Sequence, residues 1–218
     1  SGNLGTAITT GTDNVAIGEA ALDAVTSGST NTAVGDNAGG ATTTGSSNVA
    51  VGANALLVST TGDNNTAIGK DALDTNTTGS GNVAVGLDSL DANTTADDNT
   101  AIGRSSMAAN TTGTANAALG AYALDANTTA SNNTAVGYNS LGANTTGASN
   151  IAIGKDALDT NTTGSSNVAI GMDALDANTT ADDNVAVGRS AMAANTSGTD
   201  NVSVGAYSLD ANTTGSDN

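Results

Sequence analysis

The sequence predicts an all-β fold, a parallel β-solenoid (β-roll) of about twelve 17-residue coils. Three observations carry this. An Asn recurs at 14, 31, 48, 65, 82, 99, 116, 133, 150, 167, 184, 201 and 218, twelve intervals of 17 without an insertion. Each of these Asn residues except Asn218 opens a short run of small and aliphatic, mostly β-branched, residues that ends in Gly. Aromatic residues number three, all Tyr, so no thick core can form. A fixed period of this size marks a stacked array, in which one repeat buries its apolar face only against its neighbours.

With the Asn as position zero, position two is Ala in eleven coils and Ser203 in the last. Position three is always aliphatic, and position four is always Gly. This alternation reads as a short strand ending in a turn. Gly at that point either takes a positive φ or lets a neighbouring backbone come close. Position eight is Leu or Met except at Gly39, so the second coil is expected to be locally weak. Position seven is only Ala or Ser. A second short strand over positions six to ten follows, with its Leu facing the aliphatic residue of the first. The expected core is therefore Ile17, Ile68, Ile102, Ile153 and Ile170 against Leu73, Leu90, Leu124, Leu158 and Leu175. Thr at position twelve, Thr or Ser at thirteen and mostly Gly at fourteen supply a corner, and Ser, Asp, Gly and Asn supply another at the coil's end.

Residues 1–13 form a partial N-terminal coil and 14–218 a single repeat array. A longer repeat of 85 residues, five coils, relates 65–149 to 150–218 and places Lys70, Arg104, Lys155 and Arg189 at position five in two pairs. The chain opens partway through a unit, as expected of a piece of something longer. At about 4.8 Å per coil, twelve coils would extend roughly 60 Å. Two or three sizeable aliphatics per coil make a thin interior, and the small residues at positions two and seven would line faces flat enough for another chain. Side-by-side homo-oligomers follow, a trimer first among them, with end-to-end filaments as an extension.

Composition excludes several function classes. Without His or Cys, the commonest catalytic base and the soft metal ligands are missing, so zinc hydrolysis and thiol catalysis are out. No coil departs from the repeat to gather an acid, a base and a cation, so the chain reads as no enzyme and needs no cofactor. A net charge of -17 disfavours nucleic acid. No window is apolar enough to insert in a membrane, and the first residues show no signal-peptide pattern.

The run Asn133-Thr134-Ala135-Val136-Gly137-Tyr138-Asn139 resembles the head repeats of trimeric autotransporter adhesins. The fuller unit NTAVGYNSLGANTTG is similar to repeats of phage tail-fibre and related bacterial surface-fibre proteins. The resemblance covers nearly the whole chain and implies a trimeric, extracellular fibre on a cell surface or virion appendage. It would give reach, stiffness and multivalent attachment, with a cell-surface or glycan receptor as partner. Coils of 17 are longer than the usual adhesin coil, and nothing here resembles the self-cleaving chaperone domain that often ends tail fibres.

Four sets of residues are candidate sites. Asn76, Asn93, Asn110, Asn127, Asn144, Asn161, Asn178, Asn195 and Asn212 each open Asn-Thr-Thr or Asn-Thr-Ser, the N-glycosylation pattern, which is also good corner chemistry. The position-zero residues Asn14, Asn31, Asn48, Asn65, Asn82, Asn99, Asn116, Asn133, Asn150, Asn167, Asn184 and Asn201 would stack as a structural ladder. Asp residues at position nine make oxygen-rich rows that could take calcium, although the Gly-rich calcium motif of solenoids is absent. Tyr122, Tyr138 and Tyr207 are the exposed contact candidates. The alternative function is a single-chain solenoid that is glycan-coated or binds ice through its Thr rows.

Overall fold

The computed structural model describes residues 9–218 and divides into two compact units, Ser1–Thr112 and Gly113–Asn218. The fold is an all-β parallel solenoid with twelve three-residue strands spaced 17 residues apart, and no helix occurs among the described residues. The first unit holds β1 (Val15–Ile17), β2 (Thr32–Val34), β3 (Val49–Val51), β4 (Thr66–Ile68), β5 (Val83–Val85) and β6 (Thr100–Ile102). The second holds β7 (Ala117–Leu119), β8 (Thr134–Val136), β9 (Ile151–Ile153), β10 (Val168–Ile170), β11 (Val185–Val187) and β12 (Val202–Val204). Within each unit consecutive strands pair in parallel at an offset of 17, as in Val49↔Thr66, Ala50↔Ala67 and Val51↔Ile68.

The strand is three residues long because the chain turns at position four. Gly69 has φ +135, and a Cβ there would stand 2.4 Å from the carbonyl oxygen of Gly86 in the next coil. A side chain would meet both a strained φ and a neighbouring backbone, so only Gly fits. The bond from Gly69 N–H to the Val51 carbonyl, at 2.8 Å, ties this turn to the coil before it.

Positions six to ten do not form the expected second strand. They form overlapping turns: in the second coil Ala38 N–H donates to the Gly35 carbonyl, Gly40 to Asn37 and Thr42 to Gly39, at 3.4, 3.1 and 3.1 Å. The φ is positive at positions six and eight, for example Asp71 at 54 and Leu73 at 55, and a strand excludes such values. Position six suits this geometry, since Asn and Asp tolerate left-handed φ. Leu at position eight does not, and holds it because its side chain is needed inside. The ribbon still bonds from coil to coil through Leu56 N–H to Ala72 O, 2.9 Å, and Val58 N–H to Asp74 O, 3.0 Å.

Half of the expected core is in fact surface. Leu73, Leu90, Leu124, Leu158 and Leu175 are fully buried, but Ile17, Ile68, Ile102, Ile153 and Ile170 are 37–60% exposed. Alternation along the strand explains the difference. Asn at zero and Ala at two point inward, so positions one and three point out. The small residues at two and seven are interior as well, not outer faces for another chain: Ala67 and Ala72 are fully buried. The coil has room for one Leu between two layers of Ala methyls. At Gly39 the missing side chain is partly replaced by Leu22, whose Cδ2 lies 2.9 Å from where a Cβ would be.

Replacing Gly69 by Ala is expected to destabilise the chain by about 2–4 kcal/mol, because strain and a backbone clash coincide. Denaturant unfolding checks this; a cost near zero would contradict the steric role.

Candidate functional site

From the fourth coil on, each coil is closed by two asparagines. The Asn150 amide donates to the carbonyl of Gly164 at 2.8 Å, and the Asn161 amide donates to the same oxygen at 2.9 Å. Between coils, the Oδ1 of Asn150 accepts the Asn167 backbone N–H at 2.9 Å and its side-chain amide at 3.2 Å. The position-zero asparagines thus form a buried ladder, with Asn14 at its margin half-buried.

The Asn-Thr-Thr asparagines form a second ladder inside the coil. Asn161 donates to Asn144 Oδ1 and Asn178 donates to Asn161 Oδ1, both at 2.9 Å. Asn76, Asn93, Asn110, Asn127, Asn144, Asn161, Asn178 and Asn195 are 0% exposed, which removes them as glycan acceptors in the folded chain. Asn212, in the last coil, is half-exposed, yet its amide still donates to Asn195 Oδ1 and the Gly215 carbonyl at 3.2 and 3.0 Å. The motif here is interior chemistry: an amide is the side chain that can donate twice and accept once in that space. The first three coils carry Val25, Thr42 and Ser59 instead, and the Thr42 and Ser59 hydroxyls are buried without a partner.

The Thr rows differ from each other. At position twelve the hydroxyl serves the fold: Thr26 Oγ1 donates to the Thr43 carbonyl at 3.1 Å. That carbonyl also accepts the N–H groups of Thr26, Ser27 and Gly28, at 2.9, 3.2 and 3.3 Å. Position thirteen, as in Thr44, Thr61 and Thr163, is exposed.

All 21 acidic and four basic residues fall at positions five, six, nine, fifteen or sixteen. The turn ribbon carries most of them. Lys70 pairs with Asp71 and Lys155 with Asp156. Partial burial, then neighbouring carboxylates, raises the pKa of Asp74, Asp91 and Asp176; burial raises Asp125, and burial and Asp156 raise Asp159. Asp71 is lowered, first by the hydrogen bond from Lys70 and then by that from Asn54. No group of three or more carboxylates placed to hold a metal ion occurs among the described residues. In the second unit Tyr122 and Tyr138 meet edge to face with ring centroids 5.8 Å apart, and the Arg189 guanidinium lies 4.8 Å over the Tyr207 ring.

The strand face carries no charge in any coil. Its outward side chains include Ile151 and Ile153 at 38 and 39% exposure and Leu119 at 50%. This surface was missed from sequence because β-branched residues were assigned to the interior. A signal was present: position two is fixed at a single small size, as an interior site requires, whereas position one varies freely among Thr, Val, Ile and Ala. No family model, curated protein or solved structure matches the chain.

Asn144→Ala is expected to cost about 2–4 kcal/mol, since it strips two donors and an acceptor from a buried ladder. Ser59→Asn, which extends that ladder by one rung, is expected to add about 1 kcal/mol. Denaturation midpoints decide both, and a stabilising Asn144→Ala would refute the ladder's role. A carboxyl whose pKa is higher folded than unfolded favours folding below the unfolded value and loses that contribution as pH rises through the folded one. Asp71 acts in the opposite sense, its contribution vanishing as pH falls. With five raised groups against one lowered, the melting temperature should be higher at about pH 4.5 than at about pH 7. Asp→Asn at 74, 91, 159 and 176 should shrink that difference; an unchanged difference would contradict the assignment.

Proposed function

We propose that the chain is a structural, non-enzymatic segment of an extracellular fibre, a tail-fibre or cell-surface adhesin shaft, that associates side by side with copies of itself, three chains being the favoured number. The observation that carries this is the strand face. It is mostly aliphatic, with Thr32, Thr66, Thr100 and Thr134 among its residues, half-exposed to exposed, and free of charge in a protein whose net charge is -17. Contiguous apolar patches of more than a few hundred Å² are uncommon on monomers and mark interaction surfaces. Copies bearing this much negative charge repel one another wherever their turn ribbons approach, and the strand face is where they can meet without that repulsion.

Stiffness would come from the hydrogen-bond ladders that join each coil to the next, and solubility from the acidic ribbon. Attachment would be multivalent, weak contacts repeated along the chain and multiplied by association. With eight of the nine Asn-Thr-Thr/Ser asparagines buried, an N-glycan coat is not part of this reading.

Native mass spectrometry of the purified chain tests the association: the expected mass is three times 20.6 kDa. Ile153→Lys with Ile170→Lys should reduce it to a single chain while the circular-dichroism spectrum stays the same. A single-chain mass for the unaltered protein, at concentrations well above micromolar, would overturn the proposal.

A further inference from the structure

The inner asparagine column does not run the whole array. Position eleven is Asn from Asn76 onward, but Ser59 in the third coil, Thr42 in the second and Val25 in the first. In a complete coil the Asn161 amide bridges two oxygens, the Gly164 carbonyl and Asn144 Oδ1, each at 2.9 Å. A Ser or Thr side chain is too short to do this. Ser59 is 0% and Thr42 1% exposed, and neither hydroxyl has a partner within the chain. The carbonyls beside them lack a donor as well. The Gly62 carbonyl accepts the Asn48 amide at 2.8 Å and the Gly45 carbonyl the Asn31 amide at 2.9 Å. Neither receives the second amide that Gly164 receives. Asn76 donates one amide hydrogen to the Gly79 carbonyl, at 2.9 Å, and has no asparagine in the coil before it to take the other.

The fold does not close over the missing carboxamides. The corner bond from Thr60 N–H to the Thr77 carbonyl is 2.9 Å, the same as that from Thr145 to Thr162 between complete coils, so the coils come no closer together. Asn76 does not lean into the space either. Its Nδ2 lies 3.2 Å from where a Cβ on Gly62 would stand, against 3.1 Å for the equivalent Asn161 and Gly147. At Gly147 the Asn144 Oδ1 lies 2.5 Å from that Cβ point, and no atom of Ser59 comes so near at Gly62. In the second coil Gly39 omits the Leu as well. Leu22 Cδ2 takes part of that room, 2.9 Å from the Gly39 Cβ point, and Thr42 Oγ1 faces the rest from 3.5 Å. Val25, 0% exposed, closes the column with an apolar side chain.

We propose that this two-coil segment is an internal water-binding site, with one ordered molecule at the level of Ser59 and one at Thr42. Each stands where the other coils place a carboxamide. The molecule at Ser59 accepts from the Asn76 amide, donates to the Gly62 carbonyl and bonds the Ser59 hydroxyl. The molecule at Thr42 donates to the Gly45 carbonyl and bonds the Thr42 hydroxyl. A buried water makes about three such bonds to polar groups that have no other partner, and its roughly 30 Å³ is about the room that the shorter side chain leaves. Water also fits better than other small guests. The Asn76 N–H donor opposes a cation, and the hydroxyl and carbonyl lining opposes an apolar molecule. The asparagine column is thereby continued in water until Val25 ends it.

Magnetic relaxation dispersion of the water oxygen nucleus tests the site in the purified full chain. It counts waters held inside a protein through its tumbling, and hydroxyl hydrogens do not contribute to it. Ser59→Asn and Thr42→Asn each supply the carboxamide that later coils carry, so each should displace one water without a foreign side chain. The expected result is a loss of one long-lived water per chain in either variant and of two in the double variant, with the circular-dichroism spectrum unchanged. Should one variant fail to fold, the other still reads the site. A folded variant whose dispersion equals that of the unaltered chain would overturn the proposal. The count is made per chain, so its outcome is independent of how many chains associate.

Discussion

Two asparagine amides from opposite ends of a coil converge on one backbone carbonyl, and the rest of the coil depends on that closure. In the ninth coil the carbonyl is that of Gly164, and the amides belong to Asn150 and Asn161. Because each amide also bonds its counterpart one coil away, an inserted or deleted residue would break the position-zero ladder, and from the fourth coil on both ladders at once. This is a physical reason for a period of 17 without exception across twelve intervals. The closure also sets the phase of the strand. With position zero inward, position two must be inward, and the larger aliphatics at positions one and three are left facing solvent.

Stability in this fold is distributed unlike that of a globular core. The apolar interior is one Leu or Met per coil with Ala methyls around it, and burial of that one side chain contributes about 1.5–3 kcal/mol. The same residue sits at a left-handed φ, which costs an L-amino acid roughly 1–2 kcal/mol. The two nearly offset each other, so the margin lies with buried hydrogen bonds, which are numerous here and paired from coil to coil. Ser59 and Thr42 show the converse: where the amide is missing, a hydroxyl is buried with nothing to bond.

The architecture was readable from the spacing of Asn and Gly alone, because both residues have jobs that only their own chemistry can do. Gly69 needs a positive φ and no Cβ, and Asn150 needs a donor and an acceptor on one short side chain. What misled was the reading of hydrophobic residues as interior ones. Ile153 and Leu158 look equivalent in a sequence, yet one is exposed and the other fully buried. In a coil this thin the interior is set by size, and the residue too large for it faces out. The turn ribbon was read as a strand for a related reason: Leu and Ala at positions eight and seven have no turn preference, and tertiary packing places Leu73 at a φ of 55 against its propensity. The Asn-Thr-Thr motif was ambiguous by nature, since an amide suited to carrying a sugar outside is equally suited to bonding carbonyls inside.

An interior built from amides and methyls also changes how the fold responds to temperature. The heat-capacity increment of unfolding grows with the apolar surface exposed and shrinks with the polar surface exposed. Unfolding this chain uncovers two buried asparagines for about every one leucine, and much of its aliphatic surface is already wet. The increment per residue should therefore fall below the globular norm of about 12–15 cal/mol/K. A small increment flattens the curve of stability against temperature, so a chain of this design loses little on cooling and little on moderate warming.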